Sequence, residues 1–148
     1  DCMELLPERE SPFVVREVET FHDDRGGALR GTNTVRIFTA GGLSVAHLGD
    51  LGHQLTAEQA AAIGPVDAVL VPVGGVYTVD AAGAKAVCDA LHPRCVVPMH
   101  YHHAPYGLTE VDSVEPFLEL WPAEEVHHLQ GAAFELTEQT AGVMVPSF

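Results

Sequence analysis

At 148 residues with 47% hydrophobic content and no compositional break, the chain reads as globular throughout, long enough to bury roughly 68 to 70% of its unfolded surface. Seven Lys and Arg against 21 Asp and Glu leave a formal charge of −14, which repels nucleic-acid backbones and anionic lipid surfaces. No apolar run approaches the roughly 18 residues that a membrane span requires, so neither nucleic acid nor membrane is an expected partner.

The predicted elements follow in chain order. Residues 13 to 21, Phe-Val-Val-Arg-Glu-Val-Glu-Thr-Phe, are β-branched and aromatic enough for a strand that runs into His22-Asp23-Asp24-Arg25-Gly26-Gly27. Strands at Thr34 to Thr39 and Leu43 to Leu48 flank Ala40-Gly41-Gly42, a hairpin signal, and the second runs into Gly49-Asp50. Thr56-Ala57-Glu58-Gln59 has the capping-box spacing, and Gly64-Pro65 stops the short helix behind it. Val66 to Val73 is a near-continuous apolar run, as in a strand covered on both faces.

Asp80 is placed to cap a helix from Ala81 to Leu91, whose Ala84, Val87, Cys88 and Leu91 form an apolar stripe. Arg94 to Met99 follows as a strand ending at His100, so Val66 to Met99 reads as a right-handed strand-helix-strand unit with parallel strands. Val114 to Leu120 is a short helix, and Val126 to Leu129, Ala133 to Leu136 and Gly142 to Val145 are terminal strands. Cys2, Cys88 and Cys95 are odd in number without C-x-x-C spacing, so neither a disulfide framework nor a thiolate zinc site is expected. The default compartment is then reducing and cytoplasmic.

Three apolar strands each end in a residue able to bind a metal: His22 after Phe21, Asp50 after Leu48-Gly49, and His100 after Met99. In open α/β sheets the loops beyond the strands' carboxyl ends build the site, so residues distant in sequence can converge there. Imidazole with carboxylate suits Zn²⁺ or Mn²⁺. Taken singly, each is more simply read as a hydrogen-bonded loop residue.

Phe21-His22-Asp23-Asp24, Arg30-Gly31-Thr32-Asn33-Thr34, His47-Leu48-Gly49-Asp50-Leu51-Gly52-His53, Val71-Pro72-Val73-Gly74-Gly75-Val76-Tyr77-Thr78-Val79-Asp80 and Pro98-Met99-His100-Tyr101 together resemble the later motifs of the metallo-β-lactamase-fold hydrolases. The resemblance is closest to a zinc-dependent branch related to ascorbate-6-phosphate lactonases and spans about residues 13 to 120 in order. It implies an αββα sandwich of the α/β class, with a mixed sheet, flanking helices and a two-metal site at one edge. By the same resemblance His22 matches a ligand of the first metal, Asp50 the bridging aspartate and His100 the last histidine of the second. Two such ions about 3.5 to 4 Å apart lower the pKa of a water and stabilise an oxyanion.

The family's opening H-x-H-x-D-H signature is absent from these residues. His100-Tyr101-His102-His103 contains an H-x-H but continues into Ala104-Pro105, and His127-His128 has no carboxylate in the required place. The chain is therefore expected to be the carboxyl-terminal half of the fold, completed by an amino-terminal half of the same gene product, a companion chain or a homo-oligomer. The expected function is metal-dependent hydrolysis of a small lactone, ester, amide or phosphoester. Apart from Arg25 and Arg30, few basic residues lie near the site, so strong phosphate recognition is not evident. The alternative is a non-catalytic metal-binding or oligomerising remnant.

Around the site, Asp50, His53 and Tyr77 are the candidate catalytic groups. His47 and His53 either orient Asp50 or reach the substrate, or else serve as a core and a surface histidine. Tyr77 either lines the pocket or packs. Arg30 and Asn33 are expected to brace the loop after His22, with surface solvation the alternative for Arg30, and Asp23 and Asp24 are either carboxylates supporting the ligands or an ordinary polar loop tip.

Overall fold

A computed structural model describes residues 11–147, so Cys2 lies outside the described residues. β1 (Val14–Phe21) pairs antiparallel with β2 (Thr32–Ala40), placing Val18 opposite Val35, and β3 (Leu43–His47) returns from β2 through the Gly41–Gly42 turn. Beyond β3 the sheet grows by parallel addition. α1 (Ala57–Ile63) carries the chain over to β4 (Ala68–Pro72), and α2 (Ala81–Leu91) carries it on to β5 (Cys95–Met99).

Both helices start where the local chemistry says they should. Thr56 accepts the Gln59 amide at 3.1 Å while the Gln59 side chain accepts the Thr56 amide at 3.0 Å, and Asp80 accepts the Gly83 amide at 2.8 Å. The chain then passes through α3 (Glu115–Leu118) to β6 (Val126–His128) and β7 (Gly142–Val145). The seven strands form one mixed sheet ordered β1-β2-β3-β4-β5-β7-β6.

Ala133 to Leu136, expected as a strand, is irregular. β7 takes the place beside β5, and this segment leads into a loop held by Arg94 at the amino end of β5. The Arg94 guanidinium donates to the carbonyls of Thr137, Glu138 and Thr140 and pairs with Asp67 at 2.9 Å. Asp67 in turn accepts the Ser44 amide, and that bond with the Arg94 contact lowers its pKa.

One face of the sheet is closed. Val35, Ile37, Ala46, Val69, Val71, Val96 and Val143 pack with Ile63, Ala84, Val87, Leu91 and Phe117 from the helices into a continuous core. Among the described residues the opposite face holds a small buried cluster, Ala68, Cys95 and Met144, fringed by the partly buried Val45, Val97, Leu129 and Leu136. Toward the β1 edge Phe13 and Val15 are 50% and 46% exposed.

Strand direction decides where function can sit. β1 and β3 are both antiparallel to β2 and so run the same way, and β4 and β5 run parallel to β3. The carboxyl ends of β1, β3, β4 and β5 therefore share one edge.

Candidate active site

At that edge His22, Asp50 and His100 line a single cleft of about 390 Å³. Asp50 Oδ1 lies 3.1 Å from His100 Nδ1. His100 ends β5 with φ 56°, a left-handed backbone that costs a non-glycine residue on the order of 1 to 3 kcal/mol, held where the surrounding loops overdetermine it. Tyr77, Tyr101, Leu108 and Val111 line the cleft as well, on the two loops that follow β4 and β5.

The loops are locked by groups that leave little freedom to the candidate ligands. The Asn33 side chain accepts the Asp50 amide at 2.9 Å and donates to the Leu48 carbonyl at 2.9 Å and the Thr20 hydroxyl at 2.8 Å. Asn33 thus braces the loop carrying Asp50, where bracing of the His22 loop was expected. Two glycines let backbones meet: a Cβ on Gly52 would overlap the His22 carbonyl carbon and the Asp23 amide, and one on Gly74 would overlap the His100 carbonyl oxygen.

Asp23 organises the loop after His22. Its carboxylate accepts four backbone amides, from Arg25 and Gly27 on one oxygen and Leu29 and Arg30 on the other. Burial alone would raise its pKa, but these donors, Arg30 foremost, outweigh it and hold the carboxyl at about 2.

The remaining candidates are placed as follows. His53 is not on the cleft wall: its Nε2 accepts the Phe21 amide at 3.1 Å, so its Nδ1–H donates to the Gln54 carbonyl at 2.7 Å, and both ring nitrogens are committed to backbone. It ties the end of β1 to the chain beyond Asp50. His47 is half-buried, accepts the Gly49 amide at Nδ1, and has its pKa lowered by burial first and then by His100 and Arg36, so its neutral form is favoured. Tyr77 lines the cleft with its hydroxyl donating to Glu110 at 2.9 Å, a contact that raises its pKa, while the Arg30 guanidinium lies 5.4 Å from its ring centroid.

Imidazoles and a carboxylate are suitable donors for Zn²⁺ or Mn²⁺. Among the described residues, however, no three His, Cys, Asp or Glu side chains form a group that could hold an ion. The donor types fit a metal centre, and two of them, Asp50 and His100, are in contact.

Comparison with known proteins decides the family. Residues 11–100 match the model of the beta-lactamase superfamily domain. The chain belongs to the beta-lactamase superfamily. Its similarity to a metallo-beta-lactamase superfamily protein of Thermotoga maritima, provisionally described as a Zn-dependent hydrolase, is 38% in sequence with a TM-score of 0.76 over 89% of this chain and 63% of that one. It is also similar to UPF0173 metal-dependent hydrolases: 36% identical to that of Carboxydothermus hydrogenoformans over 51% of this chain and 33% of the relative, and 30% identical to that of Pyrococcus furiosus over 70% and 47%. This superfamily chain thus spans a third to about half the length of those two relatives.

Sequence patterns did not reveal Leu108 and Val111 as part of this superfamily member's cleft, or Glu110 as the partner of the Tyr77 hydroxyl, because they lie on an aperiodic loop after β5. The role of Gly52 was legible in principle as a glycine between two candidate site residues, Asp50 and His53, but its partner backbone at His22 lies 30 residues away in the chain.

Proposed function

We propose that this chain supplies the Asp50 side of a metal-dependent hydrolase centre, acting on a small lactone, ester, amide or phosphoester. The observation that carries the reading is the delivery of His22, Asp50 and His100 to one cleft by strands whose directions agree, with Asp50 and His100 in contact. Zn²⁺ or Mn²⁺ bound there would supply an activated water and positive charge for a developing oxyanion. Within the chain, His22, Asp50 and His100 are the donors toward that group, with Asn33 fixing the Asp50 loop and His53 fixing the approach of β1. Tyr77 forms a cleft wall, its proton held by Glu110.

An H-x-H-x-D-H segment outside this chain would complete the donor set, and a second sheet would cover the half-exposed apolar face. Both elements come from the resemblance. The free, buried Cys88 and Cys95, whose thiols burial pushes up to about 12 and about 11, are compatible with a reducing cytoplasmic location. No helix of the described residues is long and apolar enough to cross a membrane.

The lack of a three-donor group within the described residues also favours a second reading, a remnant that binds metal weakly or not at all. Metal analysis of the complete gene product separates the two, with about two tightly held ions expected for a catalytic centre. Asp50→Ala should then lower hydrolysis by orders of magnitude at unchanged fold. Near-normal turnover in that variant would remove Asp50 from the mechanism, and absence of bound metal would favour the remnant.

A further inference from the structure

Two kinds of side chain line the cleft. His22, Asp50 and His100 are polar, and Tyr77, Leu108 and Val111 make an apolar wall. The apolar wall runs out onto the surface, where Tyr77 is 37% and Leu108 55% exposed, with Val76 next to Tyr77 at 57% and Leu29 next to Arg30 at 58%. Val76 adds an independent sign of a functional surface. It holds φ 62°, a left-handed conformation that a β-branched residue seldom adopts, with an apolar side chain left in solvent.

Charge at the mouth does not favour an anion. The nearby Arg30 guanidinium lies over the Tyr77 ring, and Glu110 accepts the Tyr77 hydroxyl, so the cation at the rim is accompanied by a carboxylate. A phosphate carried at this rim, away from the ligand side chains, would meet Glu110 on a chain of formal charge −14. A neutral alkyl or aryl group would instead remove apolar surface from water on both partners.

We infer that the substrate presents an uncharged, apolar arm to the wall made by Tyr77, Leu108 and Val111, beside the bond that is hydrolysed. This selects esters or lactones with a hydrocarbon arm over substrates whose arm carries a phosphate, and it rests on the hydrolase reading above. The hydrolysed bond lies toward Asp50 and His100, and the arm extends toward the β5–α3 loop.

The test uses the complete gene product with 4-nitrophenyl acetate, butyrate and hexanoate. kcat/KM should rise about ten-fold from acetate to hexanoate, short of the limit for full burial of four methylenes. Leu108→Ser, or Val111→Ser if the first does not fold, should bring the hexanoate-to-acetate ratio toward one. A flat or falling series, or an unchanged ratio in both folded variants, overturns the inference.

A second measurement is independent of turnover. Amide shifts of Gly75, Gly107 and Leu108 are followed during titration with 1-hexanol, ethanol and phenyl phosphate. Saturable binding by hexanol alone in a protein that hydrolyses none of the esters would sink the hydrolase reading and leave the apolar wall standing. Ester hydrolysis with no hexanol response at these amides would do the reverse.

Discussion

Replacing Asn33 with alanine removes one side chain that ties β1, β2 and the Asp50 loop together. Three hydrogen bonds disappear: the amide donations to the Leu48 carbonyl and the Thr20 hydroxyl, and the acceptance of the Asp50 amide, all between 2.8 and 2.9 Å. Thr20 is fully buried, so its hydroxyl gains no water in exchange. A typical net value is about 0.5 to 1.5 kcal/mol per bond, more where a buried partner is stranded and less where the half-buried loop can be hydrated, which gives about 2 to 3 kcal/mol for Asn33→Ala. With a urea dependence of about 2 kcal/mol/M, the unfolding midpoint should fall by about 1 to 1.5 M. Hydrogen exchange at the Asp50 amide is the sharper readout and should accelerate strongly. Asn33→Asp keeps an acceptor for that amide but loses both donations, so it should restore Asp50 protection while remaining destabilised. A midpoint within about 0.3 M of the parent, or an Asp50 amide that exchanges unchanged in Asn33→Ala, would refute the assignment of Asn33 as the brace.

Gly52→Ala places a methyl group into the His22–Asp23 backbone and should cost about 1 to 3 kcal/mol, read as a lower melting temperature together with displaced His22 ring resonances; an unchanged melt and unmoved His22 signals would show that the contact is slack. Asp23 has a folded pKa of about 2, below its unfolded value near 3.9, so the stability it contributes is present above about pH 4 and lost as pH falls toward 2. A urea-midpoint profile from pH 6 to 2 should therefore fall less steeply at its acid end for Asp23→Asn than for the parent, and parallel profiles would contradict the nest of four amides.

What could be read from the chain alone was local. The capping box at Thr56 and Gln59, the Asp80 cap, the apolar stripe of α2 and the parallel β4–α2–β5 unit all follow from interactions between residues close in sequence, and the structure shows each of them. The ends of β1, β3 and β5 could be marked as candidate ligand positions because each apolar run stops at a His or soon reaches an Asp. Ala133 to Leu136 misled because strand propensity says nothing about whether a place beside β5 is still open, and β7 occupies it.

Tertiary structure decided everything that depends on direction and on contacts between distant backbones. Whether three strand ends share an edge is fixed by β2 lying antiparallel between β1 and β3, which no single strand's composition encodes. The employment of Asn33 on the Asp50 loop, of His53 on the Phe21 amide and of Asp23 on its own loop is likewise a matter of which donor meets which acceptor once the loops close. Side-chain chemistry in the sequence states what each of these residues is able to bind. Only the folded chain, where buried polar groups must find partners, selects the one it does bind.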